Sequence, residues 1–587
     1  QRGGRPGASP GSAGRRGIRM KKNLPLLLAL LFVPLPGRTV SVPAPVGTGG
    51  AVASADPLAT AVGLDILRAG GNAVDAAVAT ALALAVVYPE AGNLGGGGFA
   101  VARMGGELSA LDFREIAPAA ARRDMYLDAQ GQPVKNASVL GPLAAGVPGS
   151  PAGLYELHRK HGKLPWARLV APAGKLARDG FRVSRYLHEL LDQERHRKRL
   201  LSFPETARIW YPGGEPPAVG SVLRLPDLAA TLDRYARQGP QGVTAGPVAT
   251  AVEKVSKAHG GILTAADLAA YKPVWREPLV MEAFGWTFAS MPLPSSGGVI
   301  LGQTLGLLER REWSRLPRFG ADRQHLLGEA LRFSFADRFL LGDPATTKVT
   351  EAQLLDPAWI ARRAERIDLR KVTPSTSIEP WPGTGAAAAA GGETTHLSVV
   401  DRDGNLVALT TTLNDLFGGG LWVPGAGFFL NNEMDDFSTA PGRPNLFGLV
   451  QGEANVVAPG KKMLSSMTPV ILWKGREAYA LGGRGGSRIP TNTIQVVLNL
   501  VVDGDPLQAA IDRPRIHHQW LPDQLEVEAD TLSPETRAEL ERRGHKVEVK
   551  PTTEIAKVHA VRLLPDGRMA AASDPRGSGT GGVVDPD

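Results

Sequence analysis

The sequence predicts an α/β protein whose C-terminal portion is built around a β-sheet. Three observations lead to this prediction: two consecutive helical segments near the N-terminus, a mainly helical pattern from about residue 150 to 370, and a β-hairpin pattern that begins at Thr394. The 587 residues are 43% hydrophobic and 21% charged, which is a globular composition. The length allows one large domain or several smaller ones, and we find no internal repeat.

Residues 57–87 predict two helices with a short break between them. The first, Pro57–Ala69, ends at two glycines, and Asn72 then caps the second, Ala73–Val87. The second segment is rich in alanine and too short to cross a bilayer, so it predicts a buried helix. Two strand-like segments follow, at Phe99–Met104 and Leu108–Phe113.

The positive charge of the chain is concentrated at its N-terminus. Residues 1–38 contain eight Lys and Arg and no Asp or Glu, which equals the net charge of +8 of the whole chain. Residues 39–587 are therefore neutral overall, which disfavours a nucleic-acid or other polyanion partner. A basic secreted binding protein is disfavoured for the same reason.

A secretory signal is predicted within this basic region. Met20 and two lysines precede an apolar run, Leu24–Pro36, that is too short for a membrane span, which is the alternative interpretation. We expect residues 1–19 to be an upstream extension and residues 20–44 to form the signal peptide and leader. The protein is then exported, to the periplasm or the medium, with no stable membrane anchor.

Several kinds of site are disfavoured by the sequence. The chain has no cysteine, which excludes disulfides, thiolate metal sites and a cysteine nucleophile. Gly95–Gly98 is not followed by the Lys-Ser/Thr of a phosphate-binding loop. His517 and His518 have no further metal ligands at a suitable spacing. We therefore expect no metal and no cofactor.

A change of composition separates the helical region from the C-terminal sheet. Residues 373–392 contain almost no core-forming side chain, so we expect a mobile, exposed linker. The linker ends at strand Thr394–Val400, which a turn at Asp403-Gly404 connects to strand Asn405–Thr412. Further elements are predicted as strands and one helix, at Phe428–Leu430, Pro469–Trp473, Ala478–Leu481 and residues 492–503.

Thr394 is a candidate nucleophile because it stands at the junction of linker and strand. A threonine hydroxyl needs an adjacent base, and cleavage before Thr394 would supply one in its own α-amine. The alternative is an ordinary β-branched strand residue. A two-residue hairpin loop places residue 413 opposite Thr394, and a four-residue loop places residue 411 there. Either register brings Thr412 beside Thr394, where its hydroxyl could hydrogen-bond the nucleophile, and Asn414 lies just beyond.

A set of motifs from about residue 46 to the end resembles the γ-glutamyltransferase (γ-glutamyltranspeptidase) family. Their number and order make the resemblance specific, although each is weak alone. The motifs are Gly70-Gly-Asn-Ala-Val-Asp-Ala-Ala77, Gly95-Gly-Gly-Gly-Phe99, Asp112-Phe-Arg-Glu115, Glu393-Thr-Thr-His396, Asn431-Asn-Glu-Met-Asp-Asp-Phe437, Leu464-Ser-Ser-Met467, Gly485-Gly-Ser-Arg488 and Pro514-Arg-Ile-His-His-Gln-Trp520.

The resemblance implies an α/β (α+β) fold of the N-terminal-nucleophile (Ntn) hydrolase type. That fold is a four-layer αββα sandwich formed jointly by a large and a small subunit. The family's precursor is cut by its own threonine, here between Glu393 and Thr394, which implies a large subunit of residues 45–393 and a small subunit of residues 394–587. The two subunits stay together as a heterodimer.

The resemblance also implies roles for individual residues. Thr394 matches the nucleophile and Thr412 the threonine that supports it, while Gly485 and Gly486 match the oxyanion hole. The remaining positions match the site for the glutamyl group: Arg114, Ser465 and Ser466 for its α-carboxylate, Glu433 and Asp436 for its α-ammonium, and Asn414. The implied donors are glutathione and other γ-glutamyl compounds, and the acceptors are amino acids, peptides or water.

One position departs from the family pattern. Ser438–Gly452 is long enough to be the lid loop of the family, and it carries Phe447 where many members have a tyrosine. A phenyl ring can cover the pocket but cannot donate a hydrogen bond toward Asn414, so the balance between transfer and hydrolysis is open. Two alternatives share the fold: a cephalosporin (glutaryl) acylase, whose substrate lacks the α-amino group, and a poly-γ-glutamate depolymerase, which would prefer an open groove.

Overall fold

The computed structural model describes residues 41–380, 394–529, 531–552 and 555–586. The predicted upstream extension, the predicted signal segment up to residue 40, residues 381–392 of the predicted linker and Glu393 lie outside the described residues. Within the described ranges, none of the helices combines the length and the hydropathy that a bilayer crossing requires.

The helices of the described residues are numbered in chain order. They are α1 (Pro57–Arg68), α2 (Ala73–Val87), α3 (Ser150–His161), α4 (Trp166–Asp179), α5 (Arg185–Asp192), α6 (Glu194–Leu201), α7 (Pro204–Trp210), α8 (Pro226–Gln238), α9 (Gln241–Thr244), α10 (Gly246–Ala258), α11 (Ala265–Ala270), α12 (Gly297–Arg310), α13 (Ala321–Arg338), α14 (Glu351–Leu354), α15 (Pro357–Glu365), α16 (Ile489–Val501), α17 (Leu507–Asp512) and α18 (Pro534–Arg542).

The strands are numbered in the same way. They are β1 (Val46–Ser54), β2 (Gly97–Met104), β3 (Glu107–Phe113), β4 (Phe181–Arg182), β5 (Val222–Leu223), β6 (Val274–Arg276), β7 (Leu279–Ala283), β8 (Trp286–Ser290), β9 (Thr395–Asp401), β10 (Leu406–Thr412), β11 (Val470–Lys474), β12 (Glu477–Arg484), β13 (Ile516–His517), β14 (Leu525–Glu528), β15 (Val547–Lys550), β16 (Lys557–Leu563), β17 (Met569–Ser573) and β18 (Thr580–Pro586).

Thirteen of these strands form one hydrogen-bonded network. Its order is β6-β3-β2-β10-β9-β1-β17-β16-β12-β11-β8-β7, with β18 also paired to β1. Strand β1 joins the two halves, because Val46 and Gly47 pair with β17 while Gly50–Ala53 pair with β9. Gly50 has a φ of 125° at the irregularity between these pairings. The network can therefore fold over at β1 into two stacked sheets.

The alternation of side chains along the strands produces the layers. Val400 and Ile471 belong to an apolar cluster that lies between the two sheets, together with residues of β1, β2, β10, β12, β16 and β17. The neighbouring Val399 faces the other way, onto α1, α2, α4 and α8. Leu472 likewise faces α12, α13, α16 and α17. The order of layers is helices, sheet, sheet, helices, which confirms the αββα prediction.

Helix α2 confirms the prediction of a buried, capped helix. The Asn72 side chain accepts a hydrogen bond from the Asp75 N–H at 3.0 Å, and the Asp75 carboxylate accepts one from the Asn72 N–H at 3.0 Å. This reciprocal cap satisfies two donors at the helix start. Every residue of α2 is buried, so the helix packs as an inner element of the fold.

The register of the β9–β10 hairpin lies midway between the two registers that the sequence allowed. Val400 pairs with Leu406 and Thr395 pairs with Thr411, and the Asp401 N–H also donates to the Asn405 carbonyl at 3.0 Å, so a three-residue loop remains at 402–404. Gly404 occupies the left-handed region with a φ of 80°. The Asp401 carboxylate fixes this loop by accepting hydrogen bonds from the N–H groups of Asp403 and Asn405, at 2.9 and 3.0 Å. Both predicted loop lengths were therefore wrong, and Thr412 comes directly opposite Thr394.

Two further expectations differ from the structure. Phe428–Leu430 is no strand: it makes only an isolated bridge between Phe429 and Trp422, because Gly425 and Gly427, both at positive φ, turn the chain back on itself. In addition, three residues of the predicted linker, Ser375, Ile378 and Pro380, are buried, while the residues between them are exposed. Ser375 donates a hydrogen bond to the Trp520 carbonyl at 2.6 Å, and the Ile378 side chain is buried.

Candidate active site

One pocket, with about 270 Å³ of empty space that includes its opening to solvent, brings together nine of the ten predicted catalytic and binding residues. Gly485 is the exception, since it adjoins the cavity through Gly486 without lining it. The predicted residues that line the cavity are Arg114, Thr394, Thr412, Asn414, Glu433, Asp436, Ser465, Ser466 and Gly486, and Phe447 lies beside them. Residues separated by hundreds of positions in the chain therefore share one pocket, as the resemblance implies.

Thr394 lies at the start of β9, in the middle of the sheet network. Its side chain is nearly buried, and its hydroxyl donates a hydrogen bond to Thr412 Oγ1 at 3.3 Å. Thr412 Oγ1 in turn accepts a hydrogen bond from the Asn414 N–H at 2.8 Å. Asn414 adopts a φ of 75° and anchors its side chain on the Asn432 carbonyl at 2.9 Å. This chain of contacts holds the Thr394 hydroxyl in one orientation toward the cavity.

The two glycines that follow β12 have backbones suited to close approach. Gly485 has a φ of 137° and Gly486 a φ of 55°, both in the region that favours glycine. A Cβ added to Gly485 would lie 2.4 Å from the Cβ of Ala556, so no larger residue fits. Gly486 lines the cavity that also holds Thr394. Backbone N–H groups in such a turn can meet the oxygen of a reacting carbonyl.

Arg114 is a fully buried guanidinium that contacts the two acids predicted to bind the ammonium. Its Nη1 donates to the Glu433 carboxylate and its Nη2 to the Asp436 carboxylate. The Glu115 carboxylate lies 3.7 Å from Nη1, and Nε donates to the Met463 carbonyl at 3.2 Å. Thus the residues assigned to opposite ends of a zwitterion pair with each other in a single cluster.

Burial sets the protonation of these acids. It raises the pKa of Glu433 well above its ordinary value and also raises the pKa of Asp436, while the positive charge of Arg114 opposes both shifts. Burial also raises the pKa of Glu115 to about 7, again against the effect of Arg114. Such a cluster favours a cationic ligand group, because an added positive charge stabilises the ionised carboxylates.

Ser465 and Ser466 present their hydroxyl groups in a way suited to an anion. Ser465 Oγ accepts a hydrogen bond from the Met467 N–H at 3.1 Å, and Ser466 Oγ accepts one from Arg338 Nη2 at 3.3 Å. Because each oxygen already accepts a hydrogen bond from the protein, each hydroxyl hydrogen can point elsewhere. Two hydroxyl donors beside a guanidinium are a typical arrangement for binding a carboxylate.

The predicted lid, Ser438–Gly452, lies over this cavity. The Asp435 carboxylate holds it by accepting hydrogen bonds from the Leu446 N–H at 2.7 Å and the Ser138 hydroxyl at 2.6 Å. Burial raises the pKa of Asp435 to about 7. The Phe447 ring is buried and lines the cavity, and its carbonyl accepts a hydrogen bond from Gln519 at 3.3 Å.

Some residues of the site have no clear signal in the sequence. Glu115 stands inside a recognised motif, but only the structure shows its carboxylate beside Arg114. Asp435 lies in another motif and supports the lid. Arg338 comes from the end of α13, inside an unremarkable helical pattern, and reaches Ser466 only through the tertiary fold.

The paired histidines have structural partners. His517 shares hydrogen bonds with Thr491 at 2.9 Å and with Gln519 at 2.9 Å, and His518 accepts one from the Trp520 N–H at 3.0 Å. In the part of the chain that the structure describes, no group of three or more His, Asp or Glu side chains is placed to hold a metal ion.

Comparisons with known proteins agree with the geometry. The family model described as gamma-glutamyltranspeptidase matches residues 59–584. The chain is 44% identical to a glutathione hydrolase proenzyme of Escherichia coli (strain K12), over 90% of each chain. It is 43% identical to that of Pseudomonas aeruginosa, over 92% of this chain and 95% of the relative. The solved structure of a cephalosporin acylase from Bacillus halodurans superposes with a TM-score of 0.80 at 28% identity, over 95% of this chain and 99% of the other.

Proposed function

Because the chain belongs to the γ-glutamyltranspeptidase family, we propose that it is a self-processing enzyme that cleaves γ-glutamyl bonds. Its donors are glutathione and other γ-glutamyl amides, and it passes the γ-glutamyl group to amino acids, peptides or water. The names of its bacterial relatives, glutathione hydrolase proenzymes, support both the substrate and the processing. The product of processing is a heterodimer of residues up to 393 and residues 394–587.

In the proposed reaction Thr394 acts twice. In the precursor, Thr394 Oγ attacks the carbonyl of Glu393, the peptide becomes an ester, and water releases the two chains. In the mature enzyme, the same oxygen attacks the γ-carbonyl of the donor while the new α-amine of Thr394 takes its proton. The C–N bond of the donor amide then breaks, its nitrogen takes that proton and leaves as an amine, and an acceptor amine or water cleaves the γ-glutamyl ester.

The surrounding residues orient and stabilise the reacting groups. Thr412 accepts the hydrogen bond of the Thr394 hydroxyl and so fixes the position of Thr394 Oγ1, and this hydrogen turns to the α-amine as the attack begins. The N–H groups of Gly485 and Gly486 stabilise the oxyanion of the tetrahedral intermediate, since they are fixed dipoles at the point where negative charge develops. Asn414 supports Thr412 through its own N–H.

The observation that carries the substrate assignment is the contact of Arg114 with both Glu433 and Asp436 inside the cavity of Thr394. A zwitterionic α-amino acid group can replace these internal pairs with equivalent ones. Its carboxylate pairs with Arg114 and the hydroxyls of Ser465 and Ser466, and its ammonium pairs with the two acids. No buried charge is then left without a partner, which is the condition for tight binding.

The two alternatives fit less well. A glutaryl donor, as for the structural neighbour named a cephalosporin acylase, brings a carboxylate but no ammonium, and it would leave Glu433 and Asp436 without a cation. A poly-γ-glutamate depolymerase needs room for a polymer, whereas the loop that carries Phe447 covers this cavity. The identities of 44% and 43% to the glutathione hydrolases also favour the γ-glutamyl assignment.

The test combines intact mass with donor cleavage. The purified protein should consist of two chains, the smaller beginning at Thr394 and ending at residue 587. It should release product from a γ-glutamyl anilide, and a dipeptide acceptor should accelerate that release. An uncleaved chain that nevertheless turns over the anilide would contradict the N-terminal nucleophile. A cleaved protein with no activity on the anilide would contradict the γ-glutamyl donor.

Export is the second part of the proposal. The basic segment at Met20 and the apolar run Leu24–Pro36 support a secretory signal that is removed before the enzyme acts outside the cytoplasm. Sequencing the N-terminus of the large chain from a periplasmic or secreted fraction tests this. Recovery of the active heterodimer only from the cytoplasm, with residues 20–40 still attached, would contradict it.

A further inference from the structure

Arg338, at the end of α13, is a buried arginine with an unusual set of partners. Its side chain is 2% exposed and donates hydrogen bonds to Ser296 Oγ at 3.0 Å, Gln451 Oε1 at 3.2 Å and Ser466 Oγ at 3.3 Å. All three acceptors are neutral. Among the described residues no carboxylate lies within ion-pair distance of its guanidinium, although burying a charge without a contacting counter-ion is costly.

Two other arginines of the same helix do contact carboxylates, so the lack of such a partner distinguishes Arg338 from them. Arg323 forms an ion pair with Asp503 at 2.9 Å, and Arg332 forms one with Glu329 at 3.0 Å. The guanidinium groups of these two arginines are therefore neutralised by carboxylates. Burial lowers the pKa of Arg338 to about 10, so the group is still charged at neutral pH. The fold therefore retains a positive charge without a directly contacting counter-ion immediately behind the candidate site, and the charge of Asp436 acts on it from a longer distance.

The contacts of Arg338 converge on the two serines. It contacts Ser466 directly, and it contacts Ser296, whose hydroxyl donates to the Ser465 carbonyl at 2.7 Å. The third acceptor, Gln451, belongs to the lid and donates its amide to the Asp436 carbonyl at 2.8 Å. One guanidinium therefore fixes the Ser465-Ser466 backbone, the Ser466 hydroxyl and one end of the lid.

We propose that Arg338 is a positioning residue for the α-carboxylate of the donor, acting through Ser466 and Ser465. It occupies the lone pairs of Ser466 Oγ, so the hydroxyl hydrogen is directed to the ligand. Its charge also provides the anion with a second cation, which matters because Arg114 is already paired with Glu433 and Asp436. This inference rests on the proposed γ-glutamyl specificity, and it identifies a residue that contacts the carboxylate-binding Ser466 directly and Asp436 only through Gln451.

Three anilides separate the two ends of the donor. The γ-glutamyl anilide has both the α-carboxylate and the α-amine, the glutaryl anilide keeps only the carboxylate, and the 4-aminobutyryl anilide keeps only the amine. In Arg338→Met, KM should rise by between about 5-fold and 50-fold for the two donors that carry a carboxylate. It should stay within about twofold for the 4-aminobutyryl donor, and kcat should change little. Arg338→Lys keeps the charge but loses the fork of hydrogen bonds, so its effect should be smaller.

The variant Ser466→Ala tests whether Arg338 acts through the Ser466 hydroxyl. If Arg338 acts through Ser466, the effect of Arg338→Lys on KM should largely disappear in the Ser466→Ala background. Arg323→Lys is the matched control from the same helix and should behave as wild type with all three donors. If Arg338→Met does not fold, Arg338→Lys tests the role of Arg338 instead. The lysine variant retains the buried charge and most of the side-chain volume.

The outcomes separate this inference from the proposed function. Equal losses with all three donors would mean that Arg338 only supports the fold, and unchanged kinetics with all three would remove it from the site. Full additivity of Arg338→Lys and Ser466→Ala would contradict action through the serine. A wild-type enzyme that ignores the γ-glutamyl anilide would instead contradict the γ-glutamyl assignment itself, whatever the variants do.

Discussion

The hydroxyl groups of Thr394 and Thr412 lie 3.3 Å apart, one pair beyond the end of the β9–β10 ladder. The contact follows from backbone register, since Thr395 pairs with Thr411 and the next pair outward is Thr394 with Thr412. Neither residue lies in the hairpin loop, because Thr412 ends β10 and Thr394 directly precedes β9. The support of the candidate nucleophile is therefore as rigid as the central sheet itself.

We expect Thr412→Val to lower kcat/KM for a γ-glutamyl anilide by about tenfold, the value of one lost hydrogen bond. The isopropyl group has almost the same volume as threonine, so folding should be preserved. Self-cleavage should also slow, because it uses the same oxygen. A time course of precursor cleavage and steady-state kinetics measure the two effects. Thr412→Ser is the control and should retain most activity in both assays.

Replacement of Thr394 by alanine should leave the precursor as one chain. The methyl group cannot attack the Glu393 carbonyl, whereas the hydroxyl of Thr394→Ser can do so, at a reduced rate. Intact mass after a long incubation distinguishes these variants. If the alanine variant still separates at 393/394, intramolecular attack by Thr394 is wrong.

Arg114→Ala should cost about 2–5 kcal/mol in transition-state stabilisation, the usual cost of removing one partner of a buried ion pair. The loss comes from two sources: the donor carboxylate has no cation, and Glu433 and Asp436 lose theirs. Arg114→Lys keeps the charge and should lose less. Kinetics are measured on protein that is fully cleaved by intact mass. Unchanged kinetics in that protein would remove Arg114 from the binding site.

Asp436→Asn should narrow the preference for γ-glutamyl over glutaryl anilides. The wild-type enzyme should favour the γ-glutamyl donor by a factor on the order of 10⁴, since the glutaryl donor leaves both acids without a cation. Neutralising Asp436 weakens the bond to the ammonium and relieves the penalty for the glutaryl donor. The measurement is the ratio of kcat/KM values for matched anilides. Equal rates on the wild type would favour the acylase alternative.

Phe447→Tyr should raise the ratio of transfer to hydrolysis, by about twofold to fivefold. A phenol hydroxyl at this position can donate to Asn414 across the cavity that both residues line, with a stabilisation of about 1 kcal/mol. A lid held more firmly excludes water from the γ-glutamyl ester. Product analysis at a fixed dipeptide concentration gives the ratio, and Phe447→Leu is the control for loss of the ring. The same ratio in the tyrosine variant and the wild type would show that lid closure does not limit water access.

Asp435 should make stability depend on pH. Burial raises its pKa from 3.8 to about 7, so the folded state favours the protonated carboxyl. Its stabilising contribution is complete below pH 3.8 and is lost as the pH rises through 7, by up to about 4 kcal/mol. Relative to Asp435→Asn, the wild type should therefore be more stable at pH 5 than at pH 8. Thermal midpoints of both proteins at the two pH values test this. An identical difference at both would show that Asp435 does not titrate in this range.

Local patterns account for the parts of the fold that the sequence predicts well. The capping of α2 depends on Asn72 and Asp75, which are three positions apart, and the position of Thr412 depends on a hairpin of fewer than twenty residues. Phe428–Leu430 has the composition of a strand, but strand formation also needs a neighbour, and the adjacent glycines turn the chain back on itself.

The parts that the sequence does not predict depend on distant contacts. Arg338 and Ser466 are 128 positions apart, and no periodicity links a residue at the end of a helix to a serine in a loop. The pairing of Arg114 with Glu433 and Asp436 is of the same kind. The resemblance identifies these three residues as binding groups, but only the fold shows that they contact one another directly.

The strand order has a consequence for the fate of the two chains. Strands that precede residue 394 alternate in the network with strands that follow it, and backbone pairs cross the division at β2–β10, β1–β9, β1–β17 and β8–β11. Cleavage before Thr394 would therefore produce two polypeptides that share one core, with no preformed surface along which they could part. Their dissociation would require the sheets to come apart, so it would be as rare as global unfolding and would not behave like the release of a bound subunit.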